Sequence, residues 1–254
     1  MVWNPFRGPL ARVSGPPRSS NGASSFHLWW QMPPSVPLVE VSCVLEVAPP
    51  PAVGRLYFWA LQVSFVDDRS ATGGGHTGLQ WNPRFSGSTA VNWGGYADQS
   101  RGGGVLPGSP PELPGFADDQ NTRAFSWRSG RPYRLRVTRS PDRPGAWRAD
   151  VTDLQAGDMT VIRDLFGGGS HLVDPVVWSE VFADCDAPSV TVRWSDLRAL
   201  DESGSPVLPT AVAVSYQSKT DGGCSNTTVD RDGDAILQMT SVPRTVPQGA
   251  VLSL

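Results

Sequence analysis

RLYFWALQVSFVDD (55–68), GGGHTGLQWNP (73–83) and STAVNWGGY (88–96) decide the fold of this chain. In each run the side chains alternate between two faces, and glycine-rich segments separate the runs. Successive side chains of a strand point to opposite sides. The alternation therefore predicts antiparallel strands with one apolar and one mixed face. In 57–65, Tyr57, Trp59, Leu61, Val63 and Phe65 form a uniformly apolar set that reads as core. Phe58, Ala60, Gln62 and Ser64 form the other set. The next two runs add His76, Gly78 and Gln80 opposite Thr77, Leu79 and Trp81, and Asn92, Gly94 and Tyr96 opposite Val91 and Trp93. The glycine triplets at 73–75, 102–104 and 167–169 read as turns.

Strand-like segments continue along the chain. They are 27–31, 37–48, 123–127, 132–139, 146–153, 159–166, 175–183, 189–197, 210–218 and 235–240, with a short last run at 250–254. No segment carries a sustained 3.6-residue period. Glycine (27) and proline (24) make about a fifth of the 254 residues, as expected for many strands joined by tight turns. About thirteen strands need two stacked sheets to bury their faces. The expected organisation is an arm over 1–25, anchored by Trp3 and Phe6, and one domain over 26–254. The 98–121 segment reads as a long loop of the kind that carries function.

SGRPYRLRVTRSPDRPGAWRADVTDLQAGDMTVIRDL (129–165) reads as three consecutive antiparallel strands. It resembles the central meander of concanavalin A-like lectins and glucanases. The resemblance implies an all-β, two-sheet antiparallel jelly-roll sandwich. WNPF (3–6), FHLWWQMP (26–33) and AVNWGGY (90–96) are also similar to uncharacterised actinobacterial proteins.

Charge and cysteine content narrow the function classes. A net charge of −3 and a pI near 5.6 argue against a nucleic-acid partner. The longest apolar stretches are strand-length, so no membrane-spanning helix is expected. The N-terminus lacks the apolar region of a signal peptide, which points to a cytoplasmic protein, or to a secreted one whose signal is absent from this chain. Cys43, Cys185 and Cys224 show no metal-ligand spacing and read as free thiols, with a Cys185–Cys224 bridge as the alternative. Nothing specifies a monomer over a homodimer.

One face of one sheet is expected to carry Gln62, His76, Gln80, Asn92, Tyr96, Trp178, Glu180 and arginines such as Arg134 and Arg193. Amides, guanidinium and carboxylate pair with sugar hydroxyls, and aromatic faces stack on sugar rings. The leading expectation is therefore carbohydrate or glycoconjugate binding, with a small-molecule ligand as the variant. An enzyme in the same groove is the alternative: a polysaccharide lyase, or a cyclase or isomerase of an apolar metabolite. His76 or Tyr96 would then be the base, and Glu180, flanked by Trp178 and Phe182, an acid of raised pKa. The E-x-D-x-E strand of laminarinase-type glucanases and the Q-x-H strand of alginate lyases are absent. A structural or interaction protein is the third class. His27 and His171 fall outside the cluster. Asp230, Asp232 and Asp234 in DRDGDA read as a hairpin turn, with calcium, the one cofactor the sequence offers, as the alternative.

Overall fold

The computed structural model describes residues 12–34, 36–68 and 70–254. Trp3 and Phe6, and the arm as far as residue 11, lie outside the described residues. The chain is 49% strand and 2% helix. Its strands are β1 (Ser24–Gln31), β2 (Leu38–Val47), β3 (Tyr57–Val66), β4 (Ala71–Trp81), β5 (Thr89–Ala97), β6 (Thr122–Ala124), β7 (Tyr133–Arg139) and β8 (Trp147–Asp153). They continue as β9 (Asp158–Leu165), β10 (His171–Val181), β11 (Thr191–Asp201), β12 (Pro206–Val207), β13 (Ala211–Tyr216), β14 (Thr228–Asp232), β15 (Ala235–Met239) and β16 (Val251–Ser253).

Pairing sorts them into two antiparallel sheets. The first runs β16-β13-β1-β10-β3-β4-β5-β6, and the second β14-β15-β11-β2-β7-β8-β9. β12 adds to β11. One pair, Leu172 with Leu38, joins the sheets at an edge. The result is the nearly closed, jelly-roll-like sandwich expected from the alternation.

The core lies between the sheets and takes the apolar set of each strand. Tyr57, Trp59, Leu61, Val63 and Phe65 are all buried there. Phe65 of the first sheet stacks on Trp147 of the second, with centroids 5.6 Å apart. The Trp93 indole donates across the gap to the Trp147 carbonyl oxygen at 3.1 Å. Buried Gln238 holds a second bridge: its Oε1 accepts from Ser179 Oγ at 2.6 Å and from Trp194 Nε1 at 2.9 Å, and its Nε2 donates to the Phe26 carbonyl at 3.2 Å. A buried amide so fully paired fixes the relative position of the sheets.

Two local expectations change, and the hairpin reading of DRDGDA holds. Gly73–Gly75 lie inside β4 rather than in a turn, because β4 approaches its neighbours too closely for side chains. An ideal Cβ on Gly78 would sit 1.9 Å from the Trp59 oxygen, and one on Gly95 2.1 Å from the Gly74 oxygen. DRDGDA forms the β14–β15 hairpin, with Gly233 at φ +65° in the left-handed region a tight turn requires. Among the described residues, no group of three or more His, Cys, Asp or Glu side chains is arranged to hold a metal. Cys185 and Cys224 are bridged, not free, while Cys43 is a buried thiol. Both flanks of the bridge hold the segment before β1: Cys185 N–H donates to the Gly15 oxygen, and Ser225 N–H to the Arg12 oxygen. Among the described residues, no helix is long and apolar enough to cross a membrane.

The bridge spans a sequence separation of 39 residues. Loop-closure entropy for that length is worth about 4 kcal/mol. Cys224→Ala is expected to lower the unfolding free energy by about 3–4 kcal/mol in urea titration, and added reductant should shift wild type but leave the variant unmoved.

Candidate functional site

The outer face of the first sheet can be laid out from register alone. Directly opposed residues point to the same side, with Cβ atoms about 4.5–5.5 Å apart. One row reads Ser25, Glu180, Phe58, Gln80. The next reads His27, Trp178, Ala60, Gly78, Asn92, Thr122. A third reads Trp29, Val176, Gln62, His76, Gly94. Tyr96 follows one step beyond, opposite Gly74. Seven of the sequence-predicted residues therefore share this face: Gln62, His76, Gln80, Asn92, Tyr96, Trp178 and Glu180.

The centre of the face is apolar. Phe58, Ala60, Val176 and Trp178 form a buried cluster of their own, separate from the main core. Trp178 meets Phe58 edge-on with centroids 4.9 Å apart. The His76 ring packs edge-on against Phe58 at 5.7 Å and Trp178 at 5.8 Å, and lies 6.5 Å from Tyr96. Burial in this surround pushes its pKa from 6.5 down to about 4, because the imidazolium loses its hydration. The ring makes no hydrogen bond to the described protein, and its nitrogens are not sealed from solvent.

Gln62 is opposite His76. Its Oε1 accepts from the Trp178 indole N–H at 3.1 Å. Because an indole only donates, that bond fixes which end of the amide is oxygen. The Nε2 group faces the open side with both protons uncommitted to protein.

The remaining predicted residues divide. Gln80 Oε1 accepts from Asn82 Nδ2 at 2.9 Å, and Asn92 Nδ2 donates to Thr122 Oγ1 at 3.1 Å. Asn92 Oδ1 is buried without a partner. Glu180 accepts from Asn21 Nδ2 at 2.8 Å. Burial raises its pKa, opposed by hydrogen bonds from Asn21 and Ser25. It stands two strands and four residues from His76, roughly 16 Å at standard strand spacings, too far to act with it. Tyr96 is exposed. Arg134 and Arg193 are not on this face. They belong to β7 and β11 of the second sheet, where Arg134 pairs with Asp196 at 3.0 Å and Arg193 with Asp232 at 2.9 Å. Asp230 Oδ1 accepts the N–H of Arg231 at 2.8 Å, and Asp234 lies in the turn residues of the hairpin.

His27 belongs to the face although the sequence reading placed it outside. Its ring lies 6.0 Å from both Trp178 and Trp29, and burial lowers its pKa. The alternation of FHLWWQ carries the signal: His27, Trp29 and Gln31 share a side. What alternation does not give is that β1 pairs with β10, 150 residues away. A cavity of about 630 Å³ lies elsewhere, lined by Lys219, Asn226 and Arg244 among others.

No protein-family model and no curated protein matches this chain. Among solved structures it is similar to scytalido-glutamic peptidase with a peptide-based transition-state analogue, at 11% identity and a TM-score of 0.49 over 85% of this chain and 97% of that one. It is also similar to SCP-B, a member of the eqolisin family of peptidases, in complex with the tripeptide Ala-Ile-His, at 11% identity and a TM-score of 0.48 over the same shares.

The expectation of carbohydrate or glycoconjugate binding is corrected. Trp178, the ring expected to stack on a sugar, is buried edge-on against Phe58 with its indole N–H committed to Gln62. The lyase, cyclase and structural alternatives gain nothing. Arg134 and Arg193, expected on this face, stand on the other sheet, and Glu180 is remote from His76.

Keeping His76 neutral has a consequence for stability. Its folded-state pKa lies below the unfolded value, so the unfolded chain takes up the proton first as pH falls. Stability from this group is intact above about pH 6.5 and declines toward pH 4, by about 3 kcal/mol in all. Urea unfolding at pH 7.5 and pH 4.5 should show that decline in wild type and a smaller one in His76→Gln.

Proposed function

We propose that Gln62 and His76 form the centre of a hydrolase that cleaves acyl bonds, amide or ester, at acid pH. One observation carries this reading: a neutral, unpartnered imidazole stands in register beside an amide whose oxygen is tied to Trp178 and whose N–H groups are free. The pair supplies the two functions acyl hydrolysis needs, a base and an oxyanion donor.

The steps follow from those groups. A substrate carbonyl oxygen accepts from Gln62 Nε2. A free ring nitrogen of His76 takes a proton from water as the water oxygen bonds to the carbonyl carbon. The resulting oxyanion is held by the Gln62 N–H. The His76 proton passes to the departing amine or alkoxide as the carbon–heteroatom bond breaks. Phe58 and Trp178 keep bulk water from the ring, and exposed Tyr96 flanks the entrance. A base with a pKa near 4 is weak but remains unprotonated in mildly acidic solution, where neutral-range histidines are lost.

The same setting accords with the Cys185–Cys224 bridge, since disulfides persist in oxidising compartments. We place the protein outside the cytoplasm on that ground. Within this reading the concanavalin A-like resemblance concerns the scaffold alone.

Peptide mixtures, p-nitrophenyl esters and acyl anilides, incubated at pH 3 to 7 and read by mass spectrometry and absorbance, test the proposal. Cleavage should rise with pH through about 4 as His76 deprotonates. His76→Ala is expected to lower kcat by about 10²–10⁴, and Gln62→Ala by about 10²–10³ with little change in KM. Turnover that survives both substitutions, or no cleavage of any acyl substrate, would sink the assignment.

A further inference from the structure

Arg123 and Arg163 are both buried, with relative exposures of 6% and 4%. Arg123 is in β6 and Arg163 in β9, the last strands of the two sheets. Register fixes their direction. Arg123 opposes Val91 and Arg163 opposes Ala149, and both of those side chains are in the core, so both guanidinium groups enter the space between the sheets at one edge. The strand next to β6, β5, packs on β9 there.

Neither cation is neutralised. Among the described residues, no carboxylate forms an ion pair with either; Asp118 of the covering loop is held by Arg84 at 2.7 Å, and Asp119 Oδ1 accepts the backbone N–H groups of Asn121 and Thr122. The protein partners are three weak or neutral acceptors. Arg123 Nη1 donates to the Phe116 oxygen at 3.4 Å, and Arg163 Nη1 to the Gln120 oxygen at 2.9 Å and Asn121 Oδ1 at 3.3 Å. The Nε atoms of both are buried with no partner at all. Together the two forks carry ten N–H donors, so most of their capacity is unused. Burial lowers the pKa of Arg163, and the charge of Arg123 lowers it further.

The chain makes room for both groups. An ideal Cβ on Gly108 would lie 2.0 Å from Arg163 Nη2, and one on Gly115 2.2 Å from Arg123 Nη1. Two like charges desolvated together without a counter-charge are costly and are normally paired. Guanidinium forks match oxyanions by geometry as well as by charge.

We propose that Arg123 and Arg163, roofed by the 108–121 loop, form a binding site for a small oxyanion of the phosphate, sulfate or carboxylate class. The anion bridges the two forks through their Nε and Nη2 groups. It supplies the counter-charge that the edge of the sandwich lacks, and it ties β6 to β9. The site is independent of Gln62 and His76.

Thermal unfolding and calorimetric titration of the full chain with sodium phosphate, sulfate or acetate, each against sodium chloride at equal ionic strength, test this. A saturable rise in Tm with at least one oxyanion is expected, about 5 °C or more at a hundred times its Kd. The best of the three identifies the class. Arg123→Gln and Arg163→Gln should abolish the response while keeping the wild-type circular dichroism spectrum. If either fails to fold, Arg163→Lys, which keeps the charge and loses the fork, should weaken binding at least tenfold. No oxyanion effect above the chloride control in wild type overturns the proposal, as does an undiminished effect in the folded variants.

Discussion

The close approach of β4 to β3 and β5 governs the rest of the structure. Side chains on the sheet faces set most strand packing, but here backbone meets backbone. Gly78 lies against the Trp59 carbonyl and Gly95 against the Gly74 carbonyl, with no room for a methyl group. Glycine weakens a strand by entropy and by lost side-chain packing. On the outer face Gly78 lies beside Ala60, and Phe58, Ala60, Val176 and Trp178 form a second, smaller apolar cluster against which His76 packs. The sheet is thus buried on both sides at its centre, which antiparallel sheets often are not. The imidazole is largely desolvated for this reason, and its low pKa follows.

Indole groups then act as fixed donors at three levels. Trp93 links the sheets through the Trp147 carbonyl, Trp194 anchors the buried Gln238, and Trp178 orients Gln62. In each case a rigid ring with one N–H decides the direction of a neighbouring acceptor. The first two contacts stabilise the sandwich, while the third sets the amide at the candidate site.

Alternation made much of this legible in the sequence. It sorted Tyr57, Trp59, Leu61, Val63 and Phe65 into the core and Gln62, His76 and Tyr96 onto the other face, because period two is a local property. It could not place Arg134 and Arg193, since the sheet a strand joins depends on pairings far apart in sequence. It also misplaced His27 for want of the β1–β10 pairing. The Gly73–Gly75 run looked like a turn because local preference for glycine in turns is strong; tertiary crowding overrode it. Arg123 and Arg163 gave no signal at all, since an arginine in a strand is ordinarily at the surface. The Cys185–Cys224 bridge was only the alternative to free thiols in the sequence, since what joins the two loops is the fold.

The place of β1 in the first sheet has a kinetic side. Among the described residues, β1 alone links β13 and β10, pairing Phe26 with Tyr216 on one side and with Ser179 on the other. During synthesis at about 5–20 residues per second, its first partner emerges roughly 8–30 s after it does. Through that interval an apolar strand, FHLWW, has two open edges. Such edges invite pairing with other chains. The folded yield of this protein therefore depends on protecting β1 from other chains during those seconds, as well as on the final stability of the sandwich.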